Sequence, residues 1–224
     1  MLTPQQTVAH VILDHSECAA TFQRHRIDFC CKGHLTLEAA CEQLGLNTKT
    51  LIQELSGVIA ERSGPKASDP RELSTEGLID HIVSKHHAYL RESLPFIQTM
   101  ATKVARVHGG RNPLLLEIND VVFDLIEALI PHLDDEEKKL FPLLLADEVD
   151  LARAAPQLAA MHEEHLAVSV LLERMRSATQ DFELPHWACN SYRILFAELE
   201  QLEADILVHV HLETHVLKPR FEIV

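Results

Sequence analysis

The stretch LLEINDVVFDLIEALIPHLDDEEKKL, residues 115–140, decides the fold of this chain. Its apolar residues recur at alternating three- and four-residue steps, the spacing of a helix that buries one face. The same face carries His132 and Glu136, one helical turn apart. An imidazole or a carboxylate is costly in an apolar core unless something compensates it, so the pair is unexpected on this face. The complete face is Leu115, Ile118, Val122, Leu125, Leu129, His132, Glu136 and Leu140.

A second stretch repeats this arrangement near the end of the sequence. The helical pattern over residues 185–217 places His209 and Glu213 on one apolar face, again four residues apart. One such pair can arise by chance, but two pairs in the same register favour ligands of a metal. The remaining members of this face are Leu195, Leu199, Leu202, Ile206 and Val216.

Two further helical patterns complete the set. Residues 74–108 place His87 on an apolar face, and residues 156–178 place His165 on another. Short loops join all four patterns, which favours antiparallel neighbours. Four helices with this spacing predict an antiparallel four-helix bundle, and the chain as a whole is predicted to be all-α.

The first part of the sequence predicts a smaller helical domain. Short helical segments alternate with turns, and Thr36 and Gly45 are expected to cap one of the helices at its two ends. A Ser-, Gly- and Pro-containing stretch follows and is typical of a linker. We therefore predict an N-terminal helical domain over 1–62, a linker over 63–72 and the bundle over 73–224.

Composition narrows the classes of function. A formal net charge of −14 argues against nucleic-acid binding, which needs a basic surface. No apolar stretch approaches the ~20 residues that span a bilayer, and residues 1–10 do not resemble a signal peptide. The five cysteines fit a reducing cytosol better than a disulfide framework. The sequence thus predicts a soluble cytoplasmic protein without a nucleic-acid or membrane partner.

The helical register separates the 15 histidines into two groups. A lone histidine on an apolar face is more often a hydrogen-bonded core residue than a ligand, but six polar residues distributed over four faces favour metal binding. Four imidazoles and two carboxylates could hold two ions, with the glutamates bridging between them. That donor set suits iron and could accept manganese or zinc. The histidines that fall outside the faces include His81, His86, His162, His211 and His215.

The order His, His-x3-Glu, His, His-x3-Glu resembles the hemerythrin-like family, and the similarity extends to the iron–sulfur cluster repair di-iron proteins. The resemblance implies a hemerythrin-like bundle with two non-haem, carboxylate-bridged iron ions. The ligands that it implies are His87, His132, Glu136, His165, His209 and Glu213. The similar segments are residues 28–33 (DFCCKG), 79–82 with His87, 136–142 and 216–220.

This chain departs from the oxygen-carrying hemerythrins at two positions. Ser169 stands where those proteins have a fifth histidine, and Glu213 stands in place of an aspartate ligand. The missing imidazole leaves the coordination more open, which favours reactivity over reversible oxygen carriage. Glu164, beside His165, is expected to be a solvated charge. The alternatives are a carboxylate that supports a ligand and a residue on the path of a small molecule.

The resemblance also implies a function. It implies repair of iron–sulfur clusters damaged by nitrosative or oxidative stress, by donation of iron, with nitric oxide binding or reduction at the di-iron centre. Damaged iron–sulfur proteins would be the partners, and a homodimer is open. The alternatives are a nitric oxide or oxygen sensor or an iron store without turnover, and a helical protein with hydrogen-bonded buried histidines. Whether the chain is an enzyme therefore stays open.

Cys30 and Cys31 are adjacent in a predicted loop. Adjacent cysteines form only a strained, easily reduced disulfide, which suits redox or metal-transfer thiols. Composition alone favours inert structural cysteines, whereas the resemblance favours a functional pair. The other three, Cys18, Cys41 and Cys189, are predicted to be small core residues.

Overall fold

The computed structural model describes residues 2–62 and 69–221. Within these residues, helices are joined by turns, and an isolated antiparallel β-bridge links Thr7 to Thr36. The all-α prediction is confirmed. Residues 63–68 of the predicted linker lie outside the described residues. None of the described helices is both long and apolar enough to cross a membrane.

Contacts between residues divide the chain into two compact units. The first unit contains Met1–Leu78 together with Ile206–Val224, and the second contains Ile79–Asp205. The boundaries at 1–62, 63–72 and 73–224 stay a prediction.

The first unit is built from short helices around its own apolar core. Thr36 Oγ1 accepts a hydrogen bond from Ala39 N at 3.1 Å, and the helix that it caps ends at Gly45, whose φ is +67°. Both predicted caps of this helix are therefore confirmed. Buried Phe22, Phe29 and Leu55 belong to the core. The helices are α1 (Val8–Asp14), α2 (Ala19–Arg24), α3 (Leu37–Leu44) and α4 (Thr48–Glu61), with 3₁₀ turns at Ser16–Cys18 and Pro70–Glu72.

The second unit contains the long helices. Two helices cross the unit boundary: α5 (Thr75–His81) and α10 (Asn190–Leu212). Between them lie α6 (Ala88–His108), α7 (Leu114–Asp135), α8 (Phe141–Leu144) and α9 (Leu151–Thr179). In the described part of the chain, three π-helical segments interrupt or extend the α-helices, at Ile82–His87, Glu136–Leu140 and Glu213–Leu217. The last of them and the 3₁₀ turn at Lys218–Arg220 that follows it belong to the first unit.

Polar pairs between helices show that the bundle is antiparallel. Between α6 and α7, Arg91 pairs with Asp134 at 2.7 Å. Further along, Thr102 Oγ1 donates to Asn119 at 2.9 Å, so residue numbers rise on one helix as they fall on the other. The pairs Arg174–Asp124, Arg176–Glu203 and His86–Asp205 connect other neighbouring helices.

The boundaries of two helices differ from their predictions. Helix α9 begins at Leu151, ahead of the predicted residue 156, because the Asp150 side chain accepts from Arg153 N and caps it. Pro156 lies inside this helix instead of starting it. Helix α10 begins at Asn190, later than the predicted residue 185.

The π-helical segments follow a repeated spacing. Both His-x3-Glu pairs continue as His-x3-Glu-x3-Leu-x-Pro, ending at Pro142 and Pro219, and in both the π-helical segment begins at the glutamate. The segments Glu136–Leu140 and Glu213–Leu217 therefore share one local sequence pattern. Such segments are frequent at functional sites.

Candidate metal centre

The second unit places four of the predicted ligands in its interior. His87 ends the first π-helical segment, His132 lies in the last turn of α7, Glu136 begins the next π-helical segment, and His165 lies in α9. Each of these residues is at most 4% exposed. Helical register therefore predicted burial correctly at all four positions.

Two imidazoles approach one carboxylate oxygen. The Nε2 atoms of His87 and His132 each lie 3.4 Å from Oε2 of Glu136. Two donor atoms about 2.1 Å from one ion, at a tetrahedral angle, lie about 3.4 Å apart. The separations therefore match those between donor atoms that are bound to a common metal ion.

His165 completes this set. One ligand atom each from His132, Glu136 and His165 lie within 4.8 Å of one another. The rings of His132 and His165 meet edge to face, with centroids 5.0 Å apart. The donors are imidazole nitrogens and carboxylate oxygens, a mixture that fits iron and also manganese or zinc. The residues present thus fit a metal centre.

The other ring nitrogen of His87 is held by a carboxylate. His87 Nδ1 donates to Glu137 Oε1 at 2.9 Å, and Arg91 Nη2 donates to the same oxygen at 3.1 Å. Burial alone would raise the pKa of Glu137, but the hydrogen bonds from His87 and Arg91 hold it below its usual range. The ionised carboxylate fixes the proton on Nδ1 and leaves Nε2 as the donor to a metal.

His132 has an equivalent partner. Its Nδ1 donates to Glu164 Oε2 at 2.7 Å. The Glu164 side chain is 49% exposed, in contrast to the ligands. Glu164 therefore both meets solvent and orients His132, so the alternative role considered from the sequence is the one that the hydrogen bond supports.

The second His-x3-Glu pair lies in the first unit. His209 Nε2 and Glu213 Oε1 are 2.9 Å apart, and both residues are buried. The pair joins the end of α10 to the start of the last π-helical segment. The ligand roles of His209 and Glu213 stay a prediction.

Three histidines outside the predicted ligand set also have hydrogen-bond partners. His86 Nδ1 lies 2.9 Å from Asp205 Oδ1. His211 Nδ1 donates to the carbonyl of Phe29 at 3.0 Å, and His215 Nε2 donates to the carbonyl of Cys30 at 2.7 Å. Burial, with the nearby His215, lowers the pKa of His211 to about 4, so its ring is neutral. His211 and His215 therefore hold the backbone of residues 29 and 30, a role that helical register in the sequence could not predict.

The loop of residues 27–33, here called the thiol loop, lies between α2 and α3. Asp28 Oδ1 accepts hydrogen bonds from Cys30 N at 3.0 Å and Cys31 N at 2.8 Å. The Cys30 thiol donates to the same oxygen at 3.0 Å, and the two Sγ atoms are 3.7 Å apart. The hydrogen bond with Cys31, together with burial and Asp28, raises the pKa of Cys30 well above its usual range. Cys30 is thus a buried thiol and not a ready thiolate.

The remaining cysteines divide differently from the prediction. Cys18 and Cys41 are buried, as predicted, whereas Cys189 is exposed. The prediction for Cys189 was wrong because this residue precedes α10, outside the helical face from which burial could be judged.

Comparisons with known proteins agree with the observed geometry. Residues 78–221 match the family model described as the hemerythrin HHE cation binding domain, and residues 4–58 match a domain of unknown function, DUF542. The chain is 30% identical to the iron–sulfur cluster repair protein ScdA of Staphylococcus haemolyticus strain JCSC1435, over 99% of this chain and 100% of that protein.

Similar proteins also occur in Yersinia. Identity is 32% with the iron–sulfur cluster repair protein YtfE of Yersinia pseudotuberculosis serotype IB strain PB1/+, over 96% of each chain. It is 34% with the protein of the same name from Yersinia pestis strain Pestoides F, over 89% of this chain and 88% of that protein. The similarity therefore covers both matched domains.

Proposed function

We propose, from the premise that this chain belongs to the family of iron–sulfur cluster repair proteins with a hemerythrin-type cation-binding domain, that it restores iron–sulfur clusters after nitrosative or oxidative damage. In this proposal the protein donates iron from a carboxylate-bridged di-iron centre. Nitric oxide binding, or its reduction, is a second activity of the same centre.

The observation that carries the proposal is the position of Glu136. Its Oε2 lies 3.4 Å from Nε2 of both His87 and His132, in a buried setting. A buried carboxylate between two imidazoles is costly unless cations compensate it. His87, Glu136 and His132 would hold the ions that compensate this carboxylate. The full ligand set of the proposal is His87, His132, Glu136, His165, His209 and Glu213.

In this mechanism, side chains of the protein orient the histidine ligands and balance the charge beside them. When bound, the two iron ions would supply exchangeable ferrous iron and coordination positions for nitric oxide. Glu137 and Glu164 keep protons on Nδ1 of His87 and His132, so that each Nε2 lone pair faces the metal. Arg91 neutralises Glu137 and prevents a net negative charge from accumulating beside the centre.

Ser169 supports reactivity over oxygen carriage. It lies one helical turn after His165 on α9, where oxygen-carrying hemerythrins have another histidine ligand. A hydroxyl is a weaker neutral ligand for iron than an imidazole, so a coordination position is left for an exchangeable molecule. Iron held by fewer imidazoles is also released more readily.

The proposal extends to the partners and the compartment. Damaged iron–sulfur proteins are the recipients, and nitric oxide is a ligand. We place the protein in the cytoplasm, since its five cysteines are kept as thiols there. Cys30 and Cys31 are proposed to assist the transfer of iron.

Iron content tests the centre. His165→Ala should lower the iron bound after iron-replete expression, because His165 is buried beside His132 and Glu136. The matched control is His162→Ala, three residues earlier on the same helix and outside the ligand face. Folded wild-type protein that binds no iron, or equal losses in the two variants, would contradict the ligand assignment.

A repair assay separates the proposed function from its alternative. The diferrous protein is added anaerobically to aconitase that nitric oxide has inactivated, and recovery of aconitase activity is measured beside the release of nitrous oxide. Recovery with wild type and His162→Ala, but not with His165→Ala, supports repair. Binding of nitric oxide with neither recovery nor nitrous oxide would replace the proposal with a sensor.

A further inference from the structure

We infer that Asp28, Cys30 and Cys31 form a metal site of their own, for a thiophilic divalent cation such as Zn²⁺ or Fe²⁺. One ligand atom from each of the three residues lies within 4.8 Å of the other two, and both cysteines are buried. The donor set is two sulfurs and a carboxylate. The centre around His87, His132, Glu136 and His165 has imidazoles and a carboxylate instead. The inference concerns binding alone, and it stands whether or not the chain repairs clusters.

The distance between the sulfurs selects the coordination geometry. Cys30 Sγ and Cys31 Sγ are 3.7 Å apart. Two thiolates about 2.3 Å from one ion lie about 3.8 Å apart at a tetrahedral angle, and about 4.6 Å apart when the ion sits on the line between them. The pair therefore fits a tetrahedral ion without moving, whereas a linear two-coordinate ion such as Cu(I) would force the sulfurs apart.

Hydrogen bonds to the backbone hold both sulfurs on the same side as the carboxylate. Asp28 Oδ1 accepts from Cys30 N and Cys31 N, which bends the chain so that the two adjacent side chains converge. From the end of the chain, His211 donates to the Phe29 carbonyl and His215 to the Cys30 carbonyl. Because these hydrogen bonds already hold the backbone in place, the loop loses little further conformational freedom when an ion binds.

The thiol loop is closely packed at Gly33. A Cβ at Gly33 would lie 2.5 Å from His215 Nε2, 2.6 Å from Phe29 O and 2.8 Å from Ala9 Cβ. Only glycine lets the imidazole reach the loop backbone at this position. The arrangement of Asp28, Cys30 and Cys31 is therefore set by the fold around it and not by the three residues alone.

Binding exchanges protons for the ion. The dithiol and M²⁺ give a dithiolate complex and two protons, so charge and atoms balance without any oxidant or reductant. Burial and the contacts with Cys31 and Asp28 keep the pKa of Cys30 high, so protons compete with the metal near neutral pH. Apparent affinity should rise about a hundredfold for each pH unit if both thiols ionise on binding, and about tenfold if one does.

Cobalt and zinc are the probes. Iron-loaded diferrous protein is titrated anaerobically with Co²⁺, and the near-ultraviolet absorption of sulfur-to-cobalt charge transfer is recorded from pH 6 to pH 8. We expect a saturable band with one Co²⁺ per chain. Zinc X-ray absorption should then show two Zn–S distances of about 2.3 Å.

Three variants make the result specific. Cys30→Ser and Cys31→Ser should each remove most of the charge-transfer band, whereas Cys189→Ser, which changes an exposed thiol, should leave it unchanged. Asp28→Asn keeps an oxygen for the two backbone N–H groups but loses the charge, so it should keep the band and weaken binding at least tenfold. A band that persists in Cys30→Ser, or wild-type protein that binds cobalt through nitrogen and oxygen donors only, would overturn the inference.

Discussion

The His-rich interior of the second unit and the thiol loop of the first are both clusters of metal-ligand residue types, but they are organised in opposite ways. In the His-rich interior, the ligands lie on helical segments. The supporting hydrogen bonds are made by Nδ1, the ring nitrogen that is not assigned to the metal, as from His87 to Glu137 and from His132 to Glu164. In the thiol loop, a single side chain, Asp28, and two distant imidazoles hold the backbone itself.

This difference determines which amino-acid substitutions each cluster tolerates. A site on helices depends on the chemistry of its side chains, because the helices form without it. A site on a loop depends on the hydrogen bonds and space around the backbone, because nothing else fixes the chain there. Substitutions that remove charge should therefore damage the first cluster most, and substitutions that change shape should damage the second.

The largest effect is expected at Glu136. In Glu136→Gln, both irons should be lost on purification. The amide that replaces the carboxylate beside His87 and His132 is neutral and is a poor bridging ligand. The metal-free variant should nevertheless be more stable than metal-free wild type, by about 1 kcal/mol, since a buried charge is removed. Iron analysis and thermal unfolding of both forms measure these effects.

Exposed Glu163 offers the control, as Glu163→Gln should change neither quantity. Retention of both irons by Glu136→Gln would show that the helical cluster does not rely on side-chain charge.

The next effect concerns pH and the histidine that holds the loop. His211 has a pKa of about 4 when folded against 6.5 when unfolded, so the unfolded chain takes up the proton first. Its contribution to stability is complete above pH 6.5 and is lost progressively down to pH 4, about 3 kcal/mol in all. Urea unfolding at pH 7, 5.5 and 4.5 should show this loss in wild type.

In His211→Gln the amide can still donate to the Phe29 carbonyl but cannot take up a proton in this range. Its stability should therefore fall less steeply between pH 7 and pH 4.5 than that of wild type. Equal slopes would exclude burial of a neutral imidazole as the cause.

A smaller effect tests shape alone. Gly33→Ala should destabilise the protein by about 2 kcal/mol, because the added methyl group overlaps His215, Phe29 and Ala9. Gly57→Ala is the matched control: its methyl group meets nothing within 4 Å, and alanine in helix α4 should stabilise by about 1 kcal/mol. The free energies of unfolding in urea give both values, and a neutral Gly33→Ala would mean that the thiol loop can shift at no cost.

The smallest effect is expected outside the ligand set. Glu137→Gln should weaken iron binding about tenfold while the ligands stay in place, because the neutral amide no longer fixes the proton of His87 as firmly. Competition with an iron chelator measures the change. Asp135→Asn, at an exposed position two residues earlier, should bind iron as wild type does. An unchanged affinity in Glu137→Gln would restrict the charge dependence to the ligands themselves.

Periodicity predicted the helical fold and the burial of the face residues, because one repeating spacing determines both. It placed His87 and His165 on the buried faces and His86 and His162 outside them, yet His86 is as buried as His87, at 1% exposed. It could not find the roles of His211 and His215, since their partners are backbone carbonyls in the thiol loop, far away in sequence.

Helix boundaries failed for a related reason. Asp150 caps α9 through its side chain, and a proline inside that helix obscured the signal from the sequence. The exposure of Cys189 escaped prediction because the residue stands just before a helix, where no repeating face exists.

The π-helical segments have a consequence for how the length of this chain can vary. Each such turn contains one residue more than the α-helical turn that it replaces, so the register advances by one position across Glu136–Leu140 and again across Glu213–Leu217. Deleting a residue such as Lys138 would convert the first turn to ordinary helix, while the residues after it keep their orientation relative to His132. Such a segment can lose its extra residue without rotation of the helix that follows, so relatives that are one residue shorter between each histidine and the following proline should keep the same arrangement.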